Sequence, residues 1–267
     1  MTQSAITRRK LLAAMAGGAA AASGFAPALA LTPNPVRDAR ITKLIGEASR
    51  LPAVAQRIGF ISHALLGSPY RAYTLIGGPR RSEHFVVRDD VFDCVTYLET
   101  VLAAARARDV SEYQSQLRLI RYRDGDVTWR ARHHYFADWC SDNVANKVCR
   151  PVLLPGSEAV TKRLNSEPGL PPQRSVMIML PTAALLAHKS QLATGDIIGF
   201  MSRRPGLDYF HSGFVVVDDR GGLWLRHAAQ SRRRVLDQPL TRFLRDNRTQ
   251  AVTVLRPREP AAGSVLI

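Results

Sequence analysis

The chain has 267 residues, of which 46% are hydrophobic, and 37 Lys and Arg against 22 Asp and Glu give a formal net charge of +15. This hydrophobic content is typical of a globular protein and excludes a disordered one. The positive charge suits an anionic partner. However, the arginines are scattered over many segments, and no DNA- or RNA-binding motif surrounds them. The sequence therefore does not predict a nucleic-acid-binding protein.

The first thirty residues have the pattern of an export signal. Arg8-Arg9-Lys10 precedes a short apolar run from Leu11 to Ala22, and Ala28-Leu29-Ala30 provides a small-x-small cleavage site. The paired arginines resemble a twin-arginine signal, and a general secretory signal is the alternative. We expect residues 1–30 to be removed, the mature protein to be soluble in the periplasm or secreted, and residues 31–267 to form one domain. No later stretch is apolar enough to span a membrane.

The predicted elements change from helices to strands along the chain. Apolar residues at helical spacing predict helices over 39–57 and 57–66, and a third helix begins at Cys94. The Pro- and Gly-containing stretch 151–172 predicts long connections or an insertion. Four later segments alternate or run apolar over strand lengths, at 195–201, 210–219, 222–230 and 251–257. This order predicts an α+β fold.

Cys94 occupies a position that favours a reactive thiol. Asp93 is a suitable N-cap, and the positive end of a helix dipole stabilises a thiolate. The alternative is a small buried core residue, which is the common fate of a cysteine. The chain has three cysteines, and Cys140 could form a disulfide with Cys149, nine residues further on. That pairing would leave Cys94 outside any disulfide, which favours the reactive interpretation.

Two of the seven histidines lie on neighbouring predicted strands. A hairpin through Asp218–Gly222 would bring His211 and His227 to nearly opposite positions on one face of the sheet. A nucleophilic thiol needs a base and a group that orients this base, and the two imidazoles could fill these roles. They could equally be two unrelated half-buried side chains.

A series of motifs resembles a known family. LLGSPYRAYTLIGG, FDCVTYLE, GDIIGF, GLDYFHSGFVV and LWLRHAA follow one another in the order seen in the NlpC/P60 superfamily of cell-wall cysteine hydrolases. Together with YRDG and RARHHYFADWCSDN, they are similar to the DUF1460 family of N-acetylmuramoyl-L-alanine amidase-like proteins. The resemblance implies a papain-like fold for residues 31–267. N-terminal helices, with the nucleophile at a helix start, would pack on a C-terminal antiparallel sheet or half-barrel.

The resemblance also implies roles for particular residues. Cys94 matches the nucleophile, His211 the general base and His227 the residue that orients the base. Tyr70 and Asp93 match positions near the substrate and the oxyanion. Arg132, His134 and Tyr135 match an Arg-x-His-Tyr segment at the cleft.

The implied reaction is hydrolysis of the N-acetylmuramoyl–L-alanine amide bond in peptidoglycan fragments through a thioester acyl-enzyme, with neither a metal nor an organic cofactor. Two alternatives stay open. One is an endopeptidase that cuts the γ-D-glutamyl–diaminopimelate bond with the same residues. The other is a non-catalytic module that binds the cell envelope.

Overall fold

The computed structural model describes residues 38–260, so the predicted export signal lies outside the described residues. Helices dominate the first half of this range and strands the second half. The helices are α1 (Asp38–Ala48), α2 (Val54–Ala64), α3 (Cys94–Ala105), α4 (Val110–Arg121), α5 (Phe136–Ala145), α6 (Thr182–Ala187) and α7 (Leu240–Asp246). The segment around Pro52 separates α1 from α2, so the predicted single helix over 39–57 is wrong. Proline lacks the N–H that a helix interior needs.

The strands form one large sheet and one small hairpin. The hairpin consists of β1 (Ile76–Gly78) and β2 (Arg81–His84). The large sheet contains β3 (Cys149–Pro151), β4 (Glu158–Leu164), β5 (Gln173–Pro181), β6 (Ile197–Met201), β7 (Tyr209–Val217), β8 (Leu223–Ala229), β9 (Arg234–Pro239) and β10 (Ala251–Pro257). Its order is β4-β5-β10-β6-β7-β8-β9, and β3 also pairs with β10. These pairings are antiparallel, which confirms the predicted α+β class.

Each face of the large sheet has its own hydrophobic cluster. Ile197 and Phe214 pack in the cluster that contains residues of α1 to α5. Their neighbours Ile198 and Val215 pack in a second cluster with Phe243 and other residues of α6 and α7. Successive side chains of a strand point to opposite faces, so this alternation shows that the sheet is covered on both sides.

Helix α3 is the central helix of the first cluster. Its apolar residues were expected to form one stripe, but all its residues except Val95 are buried. Tyr97 makes an edge-on contact with Phe214 of β7, at 6.0 Å between ring centroids, and donates a hydrogen bond to the carbonyl of Ser62 in α2. The helix is therefore clamped between the sheet and its neighbours, which fixes the position of its first residue.

The structure corrects two further expectations. Most of the segment 151–172 was expected to be connection, but β4 lies within it and pairs with β5 over seven residues, from Glu158↔Met179 to Leu164↔Gln173. The structure does not support the possible Cys140–Cys149 disulfide, because Cys140 and Cys149 are both free cysteines. Cys140 lies on α5 and Cys149 on β3, and sequence spacing alone does not bring two thiols into bonding geometry.

No helix within the described part of the chain is long and apolar enough to cross a membrane.

Candidate active site

The first turn of α3 is closed by a reciprocal cap. Asp93 has an extended backbone, and its Oδ1 accepts hydrogen bonds from the backbone N–H groups of Val95, at 3.1 Å, and Thr96, at 2.8 Å. In return the Asp93 N–H donates to Thr96 Oγ1 at 2.9 Å. This is the capping box that satisfies otherwise unbonded groups at a helix start. The carboxylate of Asp93 therefore positions the turn that begins with Cys94.

Tyr70 lies beside the residues that lead into this turn. The Phe92 N–H donates to the Pro69 carbonyl at 3.0 Å, and the Arg71 N–H donates to the Phe92 carbonyl at 2.9 Å. Tyr70 itself is held through its N–H, which donates to the Arg233 carbonyl at 2.9 Å. The structure thus brings the backbone of Tyr70 close to the residues that lead into Asp93 and Cys94.

Strand β7 runs directly alongside the start of α3. The hydroxyl of Ser212 donates a weak hydrogen bond to the Cys94 carbonyl, at 3.5 Å, and both groups are buried. The next residue back along the strand is His211. Cys94 is a buried residue, with 9% of its surface exposed.

The two strand histidines are in direct contact. His211 Nε2 lies 2.6 Å from His227 Nδ1, and the ring planes meet at 83°. In the register of β7 and β8, Phe214 pairs with Arg226, so His211 and His227 are diagonal neighbours and not directly opposite each other. Phe243 of α7 packs against both rings, at 5.3 Å from His211 and 5.4 Å from His227. The predicted β7–β8 hairpin is thus present, and the side chains of its two histidines are in contact.

Burial determines the charge state of His227. Its desolvation lowers the pKa to about 4, against opposing interactions with the Gln238 side chain and the charge of Asp237. At neutral pH His227 is therefore uncharged. A neutral His227 can accept a hydrogen bond at Nδ1 from the Nε2–H of His211, and this tautomer of His211 has Nδ1 available as a base.

Arg132, His134 and Tyr135 form a separate group of internal contacts. Arg132 makes an ion pair with Glu83 of β2, at 2.8 Å. His134 contacts the Trp129 carbonyl through Nε2, at 2.6 Å, and burial lowers its pKa to about 4. The hydroxyl of Tyr135 accepts a hydrogen bond from the backbone N–H at position 167, at 3.0 Å. These contacts stabilise the segment before α5.

A buried ion pair that no sequence pattern predicted lies behind the candidate site. Glu99 of α3 lies 2.7 Å from Arg121 of α4, and both side chains are only 3% exposed. Arg121 also donates to the Val86 carbonyl, at 2.6 Å. The partners are 22 residues apart, and in sequence both look like ordinary surface charges. The pair joins α3 to α4 and to the segment after β2.

Asp208, also not singled out from the sequence, caps a second helix from a distance. Its Oδ2 accepts a hydrogen bond from the Ala137 N–H in the first turn of α5, at 2.7 Å. Burial raises the pKa of this carboxyl.

Across residues 38–260, no group of three or more His, Cys, Asp or Glu side chains is arranged to hold a metal ion.

The fold and the site define an α+β protein with a cysteine at the start of a central helix and a histidine pair on the adjoining strands. The family model of N-acetylmuramoyl-L-alanine amidase-like (AmiA-like) proteins matches residues 60–252. The chain belongs to this family. The resemblance to the DUF1460 amidase-like family, predicted from the sequence motifs, is therefore confirmed.

Two solved structures extend the comparison. Protein LPG0564 from Legionella pneumophila, a DUF1460 protein, has a TM-score of 0.73 and 23% identity, with 84% of this chain and 95% of that chain covered. An N-acetylmuramoyl-L-alanine amidase from Bacteroides uniformis has a TM-score of 0.63 and 26% identity, with 82% of this chain and 100% of that chain covered. No curated protein sequence matches this chain.

Proposed function

We propose that the protein is a cysteine hydrolase of peptidoglycan fragments that cleaves the amide bond between N-acetylmuramic acid and L-alanine. The observation that carries this proposal is the family match over residues 60–252. The similarity to the Bacteroides uniformis amidase over that chain's whole length adds support. The predicted export signal is consistent with a periplasmic or secreted enzyme, and the helix-then-sheet order is consistent with a papain-like fold.

In the proposed reaction, Cys94 is the nucleophile and His211 is the general base. His211 takes the thiol proton, and the sulfur attacks the amide carbonyl carbon. His211 then gives the proton to the leaving L-alanine nitrogen, and the C–N bond breaks to leave a thioester. A water molecule loses a proton to His211 and attacks the thioester. This step releases the muramic acid carboxylic acid and restores the thiol.

The charges around Cys94 make the histidine essential to this scheme. The helix dipole favours the thiolate, whereas the adjacent carboxylate of Asp93 opposes it. An imidazolium at His211 would supply the compensating positive charge. Neutral His227 orients that ring through the 2.6 Å contact and accepts its Nε2–H.

Few hydrogen-bond donors are left to stabilise the oxyanion. Asp93 already occupies the N–H groups of Val95 and Thr96. We therefore assign the oxyanion to the backbone N–H of Cys94 and the hydroxyl of Tyr70. Removal of one such donor typically slows turnover about 100- to 1,000-fold, so Tyr70→Phe should lower kcat far more than it raises KM.

Digestion of purified muropeptides, followed by mass spectrometry, tests the proposal. The expected products are a peptide that begins with intact L-alanine and a sugar with a free lactyl carboxylate. Cys94→Ala should abolish the reaction, whereas Cys140→Ala, which removes a thiol of α5, should preserve it. Cleavage after D-glutamate would instead identify the endopeptidase. Absence of any product, with Cys94 inert to iodoacetamide at neutral pH, would favour the envelope-binding module.

A further inference from the structure

One buried ring nitrogen of the histidine pair lacks a hydrogen bond. His227 is only 2% exposed, and its Nδ1 lies 2.6 Å from His211 Nε2. The other ring nitrogen of His227, Nε2, is buried and makes no hydrogen bond within residues 38–260. Most buried polar atoms in folded proteins have a partner, because an unpaired one costs free energy. The surroundings of this nitrogen therefore bear on how the pair works.

The charge state of His227 determines what Nε2 can do. Burial lowers the pKa of His227 to about 4, so the ring carries a single proton at neutral pH. When Nδ1 accepts the hydrogen bond from His211, that proton is on Nε2. Nε2 is then a donor, and the partner it needs is an acceptor oxygen.

The register of β8 and β9 places an amide beside His227. His227 pairs with Leu236, and Leu225 pairs with Gln238. Gln238 is therefore the diagonal neighbour of His227 on the same face of the sheet, a spacing that long side chains can bridge. The side chain of Gln238 acts on His227 in the direction that raises its pKa. An oxygen that accepts a hydrogen bond from the ring has this effect.

The neighbours of Gln238 on β9 do not offer such an oxygen to this face. Leu236 is apolar, and the Arg234 side chain carries donors only. The carboxylate of Asp237 lies on the other face of the sheet, where it forms an ion pair with Arg226 at 2.7 Å. The side-chain acceptor that β9 provides beside His227 is thus the amide oxygen of Gln238.

From this arrangement we propose that Gln238 is a positioning residue of the candidate active site, whose amide oxygen accepts the Nε2–H of His227. The hydrogen bonds then run in one direction, from His211 to His227 and from His227 to Gln238. The amide selects the tautomer of His227, and this tautomer determines which nitrogen of His211 carries the proton. The effect on turnover rests on the proposed function, whereas the hydrogen bond itself does not.

NMR of the ring nitrogens tests the inference in the resting protein, without substrate. The protonated and unprotonated nitrogens of a neutral imidazole give separate signals, and those of His227 are identified by their absence from His227→Asn. The wild type should carry the proton on Nε2. Gln238→Met keeps the length of the side chain but removes the acceptor, so His227 should become a mixture of tautomers. Gln238→Glu keeps an acceptor oxygen and should retain the Nε2 proton in mildly alkaline buffer.

Turnover of muropeptides provides the second readout. Gln238→Met should lower kcat about tenfold and leave KM unchanged, as expected when one hydrogen bond that orients the base is lost. Gln238→Glu should restore most of kcat in the same alkaline buffer, which separates loss of the acceptor from misfolding. Gln230→Met, at an exposed position directly after β8, is the matched control and should behave as the wild type in both experiments.

Three results would overturn the inference: a wild-type His227 protonated on Nδ1, an unchanged tautomer in Gln238→Met, or a loss of kcat that Gln238→Glu does not restore. The first result needs no substitution of Gln238, so the test holds even if Gln238→Met does not fold. Failure of the proposed function would look different, because the tautomers would follow the expected pattern while no muropeptide is hydrolysed.

Discussion

The buried histidine of the β7–β8 pair should make the fold sensitive to acid. His227 has a pKa of about 4 in the folded protein, against 6.5 for an unperturbed histidine, because burial disfavours its charged form. Between these two values the unfolded chain binds a proton that the folded protein does not. Stability should therefore be complete above pH 6.5, decrease as the pH falls towards 4, and show no further loss from this group below pH 4.

The expected size of the effect follows from the two pKa values. Each tenfold change in proton affinity corresponds to about 1.4 kcal/mol, so the contribution of His227 should reach ~3 kcal/mol by pH 4. That is a large fraction of the 5–15 kcal/mol that is typical of a folded domain. His134, whose burial also lowers its pKa to about 4, should add a separate loss over the same pH range.

Comparison with a variant isolates the contribution of His227. His227→Asn replaces Nδ1 with an amide oxygen, so the residue can still accept the hydrogen bond from His211 but no longer titrates. Urea unfolding of both proteins should be measured from pH 8 to pH 4. The stability advantage of the wild type should shrink by ~3 kcal/mol over that range. His84→Asn, at an exposed position on β2, is the matched control. The difference in unfolding free energy between this variant and the wild type should be the same at every pH.

A constant difference between wild type and His227→Asn across this pH range would refute the reasoning. It would mean that His227 keeps an ordinary pKa and is not held neutral by burial. The assignment of His227 as a neutral acceptor for His211 would then lose its physical basis as well.

Three further predictions concern the elements that support the site. Asp93→Ala removes the cap of α3 and should lower the free energy of unfolding by about 1 kcal/mol, as measured by urea denaturation; an unchanged midpoint would contradict the capping role. Glu99→Gln leaves the buried Arg121 without its partner and should cost about 3–5 kcal/mol, whereas the double replacement of both residues by methionine should recover most of that loss in the same assay. Thiol titration of the unfolded, unreduced protein should find three free thiols, those of Cys94, Cys140 and Cys149. A value of one would show instead that Cys140 and Cys149 form a disulfide.

Much of the candidate site was predictable because its signals are local in sequence. A cap residue directly before a helix, as at Asp93 and Cys94, can be read from adjacent positions. The β7–β8 hairpin joins strands across a short turn, so alternation alone placed His211 and His227 on one face. The diagonal offset of the two rings depends on the register, which only the folded hairpin defines.

Other features depend on residues that are distant in sequence. The pairing of β4 with β5 was missed because the surrounding Pro and Gly suggested connections, and the mostly exposed β4 carries only a weak apolar pattern. The motif match singled out Arg132 and Tyr135, whereas their contacts with the β1–β2 hairpin and the segment near position 167 are defined only by the folded chain.

The amino-acid sequence by itself determined the α+β class, the family, and the placement of Cys94 at the start of a helix, because periodicity, capping and motif order are properties of neighbouring residues. Tertiary structure decided which charges are buried together, such as Glu99 with Arg121. The physical reason is that burial and charge pairing depend on which distant segments pack against each other. That packing exists only in the folded protein, where the sheet lies against α3.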